Sequence, residues 1–211
     1  MSTVSIIGSG GMAAAIGSLA ARAGHSVQLM SRDPVKARAL AERIGACATV
    51  GTFGAAPAAS IVILAVPYAA VLDVLKHYGN ALAGKVLVDI TNPVDASRTG
   101  FVTQVESFGA QEIVKAAPAD AIVVKAFNTQ FSHVLADGAT HGNRLDVFLA
   151  GNDTDAKLRV SAFIESLGLR AMDSGLLFMA QPLEHLALLS LGLVAHSIRH
   201  TRFSLGVSLL D

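Results

Sequence analysis

Glycines lie between an apolar strand pattern and a run of helix formers at the start of the chain. The spacing is Gly8-x-Gly10-x-x-Ala13, and it follows the mostly apolar residues 4–7. Gly8 would permit a sharp turn, Gly10 would let a diphosphate approach the backbone, and Ala13 would let a helix pack close to the strand. Because the first N–H groups of a helix have no partner within it, such a turn binds anions. The spacing favours a dinucleotide-binding turn over a plain loop.

The residues about twenty positions after such a turn select between NAD and NADP. Here they are Ser31 and Arg32, with Lys36 one helical turn further on. Arginine beside small hydroxyl side chains suits a 2′-phosphate, so the sequence favours NADP(H). Asp33 could instead serve the ribose, but aspartate before Pro34 is also a typical helix N-cap, and we favour that role. The alternative for Arg32 and Lys36 is that they form only the solvated start of a helix.

Apolar runs that alternate with helical patterns predict the elements that position these residues. Continuous β-branched runs are typical of strands buried on both faces of a parallel sheet. We therefore expect an α/β fold, a Rossmann-type doubly wound and mainly parallel sheet with a short C-terminal helical tail. Strands are predicted over 4–7, 26–30, 47–50, 60–66, 85–90, 121–129, 145–150 and 170–173. Helices are predicted over 10–23, 34–44, 52–59, 68–78, 101–108 and 153–167, and from Gly175 onward with an interruption at Pro182. A further short element is predicted over 112–116.

Three predicted strands end in short segments that could line a ligand site. These are Ala65-Val66-Pro67, Thr91-Asn92-Pro93 and Phe127-Asn128-Thr129. In open parallel sheets ligands bind outside the carboxyl ends of the strands, so these segments and the first turn should line one crevice. Taken singly, each segment could be no more than the end of a strand.

Composition bounds the domain organisation and the partners. A chain of 211 residues suits one dinucleotide-binding domain, 1–175, and a helical segment, 176–211, that packs on the sheet. The chain is 52% hydrophobic and 15% charged, which predicts that a partner subunit or a ligand covers some apolar surface. We expect a homodimer in which a second subunit covers the helical segment. Sixteen basic and sixteen acidic residues, without a basic run, give no support for binding nucleic acid or membrane lipid.

Two further features concern the compartment. The single cysteine, Cys47, cannot form an internal disulfide and is predicted to be a small core residue of a cytoplasmic protein. The apolar stretch 186–198 is too short for a membrane span and contains His196, so it is predicted to be a buried helix.

Six segments in the same order resemble one family, the NADPH-dependent reductases of the deazaflavin coenzyme F420 together with the cytosolic domain of the six-transmembrane metalloreductases. The resemblance covers essentially the whole chain. In one respect the chain differs, since Ala13 stands where many relatives have glycine. The segments are Gly8-Ser9-Gly10-Gly11-Met12, Ser31-Arg32, Ile63-Leu64-Ala65-Val66-Pro67-Tyr68, Asp89-Ile90-Thr91-Asn92-Pro93, Val124-Lys125-Ala126-Phe127-Asn128-Thr129 and 167–175.

The resemblance implies hydride exchange between NADPH and a flavin or deazaflavin-like ring held in the same crevice. It implies diphosphate contacts from Ser9, Gly10, Gly11 and Met12, and 2′-phosphate contacts from Ser31, Arg32 and Lys36. It also implies that Ala65, Val66 and Pro67 flank the nicotinamide ribose, and that Asn92, Ala126 and Asn128 lie near the nicotinamide. The helical tail matches only in its apolar pattern.

Hydride transfer between stacked rings depends on alignment, so we expect neither a catalytic side chain nor a metal. The pair His196 and His200 lacks the glutamate of a zinc-protease motif, whereas His133, shortly after Asn128, is the histidine that could reach the ring. Two alternatives stay open. One is an imine or carbonyl reductase of the pyrroline-carboxylate reductase type, which needs a proton donor. The other is a non-catalytic NADP(H)-binding module that senses redox state.

Overall fold

A single mixed sheet organises the part of the chain that the computed structural model describes, residues 2–104, 106–138, 144–208 and 210. Its strands are β1 (Thr3–Ile7), β2 (Ser26–Met30), β3 (Ala48–Gly51), β4 (Ile61–Leu64), β5 (Val86–Asp89), β6 (Ile122–Ala126), β7 (Asp146–Gly151) and β8 (Arg170–Asp173). They are ordered β3-β2-β1-β4-β5-β6-β7-β8. Neighbours run parallel except β6 and β7, which are antiparallel. The predicted doubly wound fold is confirmed.

Helices cover both faces of this sheet, as apolar strands require. They are α1 (Gly11–Arg22), α2 (Pro34–Ile44), α3 (Tyr68–Tyr78), α4 (Gly109–Ala116), α5 (Ser132–Asp137), α6 (Thr154–Ser166) and α7 (Ala180–Leu193). One buried cluster joins the sheet to α1, α5 and α6, and a second cluster joins it to α3 and α4. The predicted bounds of β2, α2, α3 and β8 agree with the structure to the residue, because turn residues flank each of them.

The strand order reverses between β1 and β4, and this reversal opens the crevice. Ile7 is in register with Met30 on one side and with Leu64 on the other. Beyond these positions, Gly8 N–H donates to the Met30 carbonyl at 2.8 Å and Ala65 N–H donates to the Ile7 carbonyl at 2.8 Å. The three segments that follow β1, β2 and β4 therefore meet at one edge, the switch point at which doubly wound sheets bind ligands.

Two predicted helices are wrong. The segment 52–59 consists of turns and bends, because Gly54 has a φ of +88° and Pro57 lacks a backbone N–H. The described parts of the second segment, 101–104 and 106–108, are also irregular, and an isolated antiparallel bridge joins Phe101 to Val94. The prediction of a buried Cys47 is wrong as well, since this exposed residue directly precedes the outermost strand, β3.

The predicted interruption at Pro182 does not occur. Pro182 is the third residue of α7, where the missing N–H has no helical partner to lose. Helical structure runs from Leu177 to Ile198, and residues 199–208 have no regular structure. By length and composition alone, this helical stretch is long and apolar enough to cross a membrane. Its most apolar part has a mean hydropathy of 1.4, and 33% of that part is buried within the fold. Its buried face includes Glu184, but within 186–198 only Ala187 and Ser190 are buried, so the prediction of a buried helix over that stretch is wrong.

Candidate functional site

The glycine turn after β1 has two positions that depend on glycine for different reasons. Gly8 has a φ of +134°, and a Cβ there would lie 2.0 Å from the carbonyl oxygen of Ala65. Packing of β1 against β4 therefore requires glycine at this position. A Cβ on Gly10 would meet no protein atom within 4 Å. The space in front of Gly10 is open, which is the arrangement that a closely approaching ligand needs.

Helix α1 begins directly at this open space. Gly10 is its N-cap, no side chain of the described residues caps the helix, and its first turn holds no acidic residue. The N–H groups of that turn are the natural partners of an anion, and the helix dipole adds to the attraction.

The segment after β2 brings cationic side chains toward the glycine turn. Ser31 Oγ lies 3.0 Å from Ser9 Oγ and links the two segments. Asp33 caps α2 through Oδ1, which accepts from Val35 N–H at 3.1 Å and from Lys36 N–H at 3.0 Å. The bond from the Lys36 backbone is the main reason that the pKa of Asp33 lies below its usual value. The predicted N-cap is confirmed, and the carboxylate also faces the ammonium of Lys36 at 3.4 Å.

These segments share one pocket of about 330 Å³ at the switch point. Most of the residues predicted for the cofactor line it: Gly8, Ser9, Gly10, Ser31, Arg32, Lys36, Ala65, Val66 and Pro67. Asp33 and Phe53 line it too. Sequence reasoning missed Phe53, which belongs to the irregular segment and stacks on His77 with ring centroids 4.9 Å apart.

The remaining predicted residues lie outside this pocket. Gly11 faces α5, since a Cβ there would lie 3.0 Å from Ser132 Oγ, and Met12 packs against the core. Asn92 and Asn128 pair with each other: Asn92 Nδ2 donates to the Asn128 carbonyl at 2.8 Å, and Asn128 Nδ2 donates to Asn92 Oδ1 at 2.9 Å. Ala126 is fully buried, so its side chain lies behind the crevice surface.

The backbone between Ala126 and Asn128 is strained. Phe127 is fully buried and has a φ of +61°, a left-handed conformation that L-residues other than glycine seldom adopt. Its buried ring holds this turn, which directs the chain away from β6 and toward Asn128. A strained residue beside a pair of interacting amides is typical of a functional site.

A larger cavity, of about 900 Å³, adjoins the segments that follow β5 and β6. One wall is apolar and comes from the end of the helical tail, through Leu188, Leu191 and Val194. The lining also includes Arg98, His133 and His196. The ring of His133 is held by Thr201, whose carbonyl lies 2.9 Å from Nε2. Sequence reasoning missed the tail residues of this cavity because their apolar pattern indicated only burial.

A buried ionic network behind the crevice was also missed. Lys125 lies within β6, and its ammonium contacts Asp89 and Glu184, with all three side chains at most 2% exposed. Next to them, Tyr68 Oη donates to Glu112 Oε2 at 2.5 Å, and burial raises the pKa of this phenol far above its usual value. A lysine within an apolar strand is the signal that could have indicated such a network.

The comparisons with known proteins agree with this geometry. Residues 3–93 match the family described as NADP oxidoreductase, coenzyme F420-dependent. The chain is 31% identical over 185 residues to the metalloreductase STEAP3 of Rattus norvegicus, an alignment that covers 88% of this chain but only 36% of the rat protein. The chain thus spans about a third of that relative.

Two relatives match over most of their length. The F420-dependent NADP reductase of Methanothermobacter marburgensis is 30% identical over 187 residues, covering 82% of this chain and 83% of the archaeal protein. A crystal structure from Arthrobacter sp. FB24, provisionally assigned as an F420-dependent NADP reductase, superposes with a TM-score of 0.87. That comparison covers 99% of this chain and 100% of the other, at 26% identity.

The matched segment coincides with one half of the site. All residues that line the smaller pocket lie within 3–93, and all residues that line the larger cavity lie outside it. The matched segment therefore includes the glycine turn, the segment after β2 and the end of β4. On this basis, and on the 30% identity to the archaeal reductase over 82% of this chain and 83% of that protein, the chain belongs to the family of coenzyme F420-dependent NADP oxidoreductases.

Proposed function

We propose that this protein transfers a hydride between NADPH and a flavin or deazaflavin-like acceptor. The observation that carries the proposal is the single pocket in which open space before Gly10 meets the cations Arg32 and Lys36. NADP(H) has two anionic groups, a diphosphate and a 2′-monophosphate. In a fold of this kind the diphosphate lies at the start of the first helix and the monophosphate lies at the end of the following strand. The reductase names of the relatives support the same chemistry.

The residues present fit NADP(H). In this assignment the uncapped N-terminus of α1 and the segment 9–12 bind the diphosphate, while Ser31, Arg32 and Lys36 bind the 2′-phosphate. Asp33 does not compete for the ribose, because its carboxylate is engaged by the start of α2 and by Lys36. The segment 65–67 would flank the nicotinamide ribose, and Asn92, Ala126 and Asn128 would lie on the nicotinamide side.

The acceptor would occupy the larger cavity. Its volume of about 900 Å³ suits a ligand with several fused rings, its apolar wall suits their faces, and Arg98 with His133 suits an anionic substituent. Domain 1–175 then carries the cofactor, and segment 176–211 contributes the apolar wall. When bound, NADPH supplies a proton with two electrons as hydride, the acceptor gains it, and a solvent proton completes the reduced product. The protein excludes water and aligns the two rings.

We further infer a homodimer through the helical tail. Leu176, Phe178 and Leu189 are large apolar side chains that are 54%, 60% and 55% exposed. Exposed apolar residues of this number on one segment are typical of an interaction surface.

A titration and a turnover assay test the proposed function. Purified protein is titrated with NADPH and NADH, and loss of reduced nicotinamide is then followed with FMN, FAD, a deazaflavin, a ferric chelate and a cyclic imine. We expect preference for NADPH and turnover with the flavin or deazaflavin class. Arg32→Ala should reduce the preference for NADPH over NADH. Turnover with the imine alone would contradict the acceptor class, and binding of NADPH without any turnover would indicate a sensing module instead.

A further inference from the structure

The buried network around Lys125 links four elements behind the crevice. Lys125 Nζ donates to Asp89 Oδ2 at 2.8 Å, to Glu184 Oε1 at 2.8 Å and to the carbonyl of Thr91 at 2.6 Å. Asp89 ends β5, Lys125 lies in β6, and Glu184 comes from α7. One ammonium therefore ties two strands of the sheet to the helix of the tail.

Both carboxylates of this network act only as acceptors in their hydrogen bonds. Asp89 Oδ1 accepts from the N–H of Thr91 at 2.8 Å and from its hydroxyl at 2.7 Å. Glu184 accepts from Gly109 N–H at 2.9 Å and from Ala110 N–H at 3.1 Å, the first residues of α4. An acceptor-only pattern is that of an ionised carboxylate, because a protonated one needs an acceptor for its own hydrogen.

The formal charge of the network is consequently negative. One lysine faces two carboxylates, and the peptide dipoles at the start of α4 compensate part of the excess. Burying charge without full pairing is costly, and a core of apolar residues would avoid that cost. A net negative group retained at this depth suggests a function that depends on its field.

The network lies directly behind the residues assigned to the nicotinamide. Asp89 precedes Asn92 by three positions, and Lys125 precedes Asn128 by three positions. The amide of Asn128 also donates to the carbonyl of Leu183 at 3.0 Å, and Leu183 is the neighbour of Glu184. The same backbone segments thus join the charges to the proposed ring site.

We propose that this network stabilises the oxidised nicotinamide and so favours release of the hydride. The inference rests on the proposed function. A reduced nicotinamide ring is neutral, and loss of a hydride, a proton with two electrons, leaves the ring with one positive charge. A buried negative field attracts the cationic ring and leaves the neutral ring almost unaffected. Asp89, Lys125 and Glu184 are therefore positioning residues that act through the field and the segments they hold.

Binding measurements test this without reference to turnover. Glu184→Gln and Asp89→Asn keep the shape of the side chain and remove one negative charge each. The dissociation constants of NADP+ and NADPH are measured for each variant, and the ratio of the first to the second is compared with wild type. One unit charge about 10 Å from another, at an effective dielectric constant of about 20, changes an equilibrium by up to roughly fifteenfold. We expect the ratio to rise by about threefold to fifteenfold.

The matched control is Glu165→Gln. Glu165 is 43% exposed and pairs with Arg144 beside β8, at the far edge of the sheet, so its replacement should leave the ratio unchanged. Circular dichroism and thermal unfolding establish that each variant is folded.

An unchanged ratio in a folded Glu184→Gln or Asp89→Asn protein that still binds NADPH would overturn the proposal. If neither variant folds, the dissociation constants of the wild-type protein test the proposal. A preference of tenfold or more for NADPH over NADP+ would contradict a stabilising negative field, and equal or tighter binding of NADP+ would support it. Failure of the proposed function has a different signature, since the wild-type protein would then bind neither nucleotide, or would bind NADPH without turnover of a flavin or deazaflavin, whatever the ratio in the variants.

Discussion

Replacement of Gly10 by alanine should separate cofactor binding from folding. Gly10 has a φ of −85° and a ψ of −169°, which alanine adopts without strain, and the added methyl group would meet no protein atom within 4 Å. Alanine is a poorer N-cap than glycine, which lowers the free energy of unfolding by about 1 kcal/mol. Alanine also reduces the conformational entropy of the unfolded chain, and this offsets part of the loss. In a domain of this size the melting temperature should change by less than about 4 °C.

The same methyl group would occupy the space that a diphosphate needs. If it moves the anion away from even one N–H at the start of α1, the loss of a charge-assisted hydrogen bond costs about 1.5–3 kcal/mol. This corresponds to roughly tenfold to hundredfold weaker binding of NADPH. Binding is measured by titration of NADPH fluorescence or by calorimetry, and stability by scanning calorimetry on the same samples.

Gly8→Ala is the matched comparison, because it adds the same atom two residues earlier. There the methyl group would lie 2.0 Å from the carbonyl of Ala65, at a φ of +134°. Backbone strain and overpacking together should destabilise the fold by about 2–6 kcal/mol. The reasoning is refuted if Gly10→Ala binds NADPH as tightly as wild type, or if Gly8→Ala and Gly10→Ala lose the same stability.

Three further predictions concern the pocket rim, the tail and the subunit contact. Asp33→Asn keeps the cap of α2 but removes a negative charge from the pocket. NADPH should therefore bind about two- to fivefold more tightly at low salt, while the affinity for NADH changes less. Equal changes for both nucleotides in parallel titrations would contradict the assignment of the 2′-phosphate. Asp146→Asn should lower the free energy of unfolding by about 1–2 kcal/mol at neutral pH, because the ion pair with Arg170 is lost. The hydrogen bond from Arg170 lowers the pKa of Asp146 in the folded state. The stabilisation is therefore present above the unfolded pKa of about 3.9 and disappears as the pH falls through the folded pKa. Denaturant curves of wild type and variant should converge in acid, and a difference that stays constant with pH would show another cause. Leu189→Asp should convert the proposed dimer to a monomer in light scattering after gel filtration, and an unchanged mass would place the subunit contact elsewhere or show that wild type is monomeric.

The pocket at the glycine turn could be predicted because each of its parts is contiguous in sequence. The glycine turn, the segment after β2 and the end of β4 are short runs, and the parallel sheet brings their ends together by a general rule. Strong local signals also explain the bounds of α2, where Asp33 and Pro34 specify the start and Gly45 the end. No knowledge of distant contacts was needed for these elements.

The segments 52–59 and 101–108 show where local reasoning fails. Gly54 and Pro57 disfavour a helix in the first segment, and an aromatic side chain of each segment also contacts a distant part of the chain. Phe53 stacks on His77 of α3, and Phe101 packs against His185 of α7 with ring centroids 4.8 Å apart. Such tertiary contacts override a weak helical preference. The exposed Cys47 has the same kind of explanation, since only the strand order reveals that β3 is the edge.

The ionic partners of Lys125 could not be predicted from the sequence, because they depend on strand pairing and on the position of α7. Within the run 121–127 it is a single charge among apolar neighbours, and nothing local indicates its partners. Asp89 becomes a partner because β5 pairs with β6 in register, where it stands opposite Lys125. Glu184 becomes a partner because α7 returns to the sheet 59 positions later. The wall of the larger cavity comes from the same helix. Whatever positions α7 therefore sets both the shape of the larger cavity, the proposed acceptor site, and the charge behind the proposed ring site. A substitution that moves this helix should change both together while leaving the pocket at the glycine turn intact.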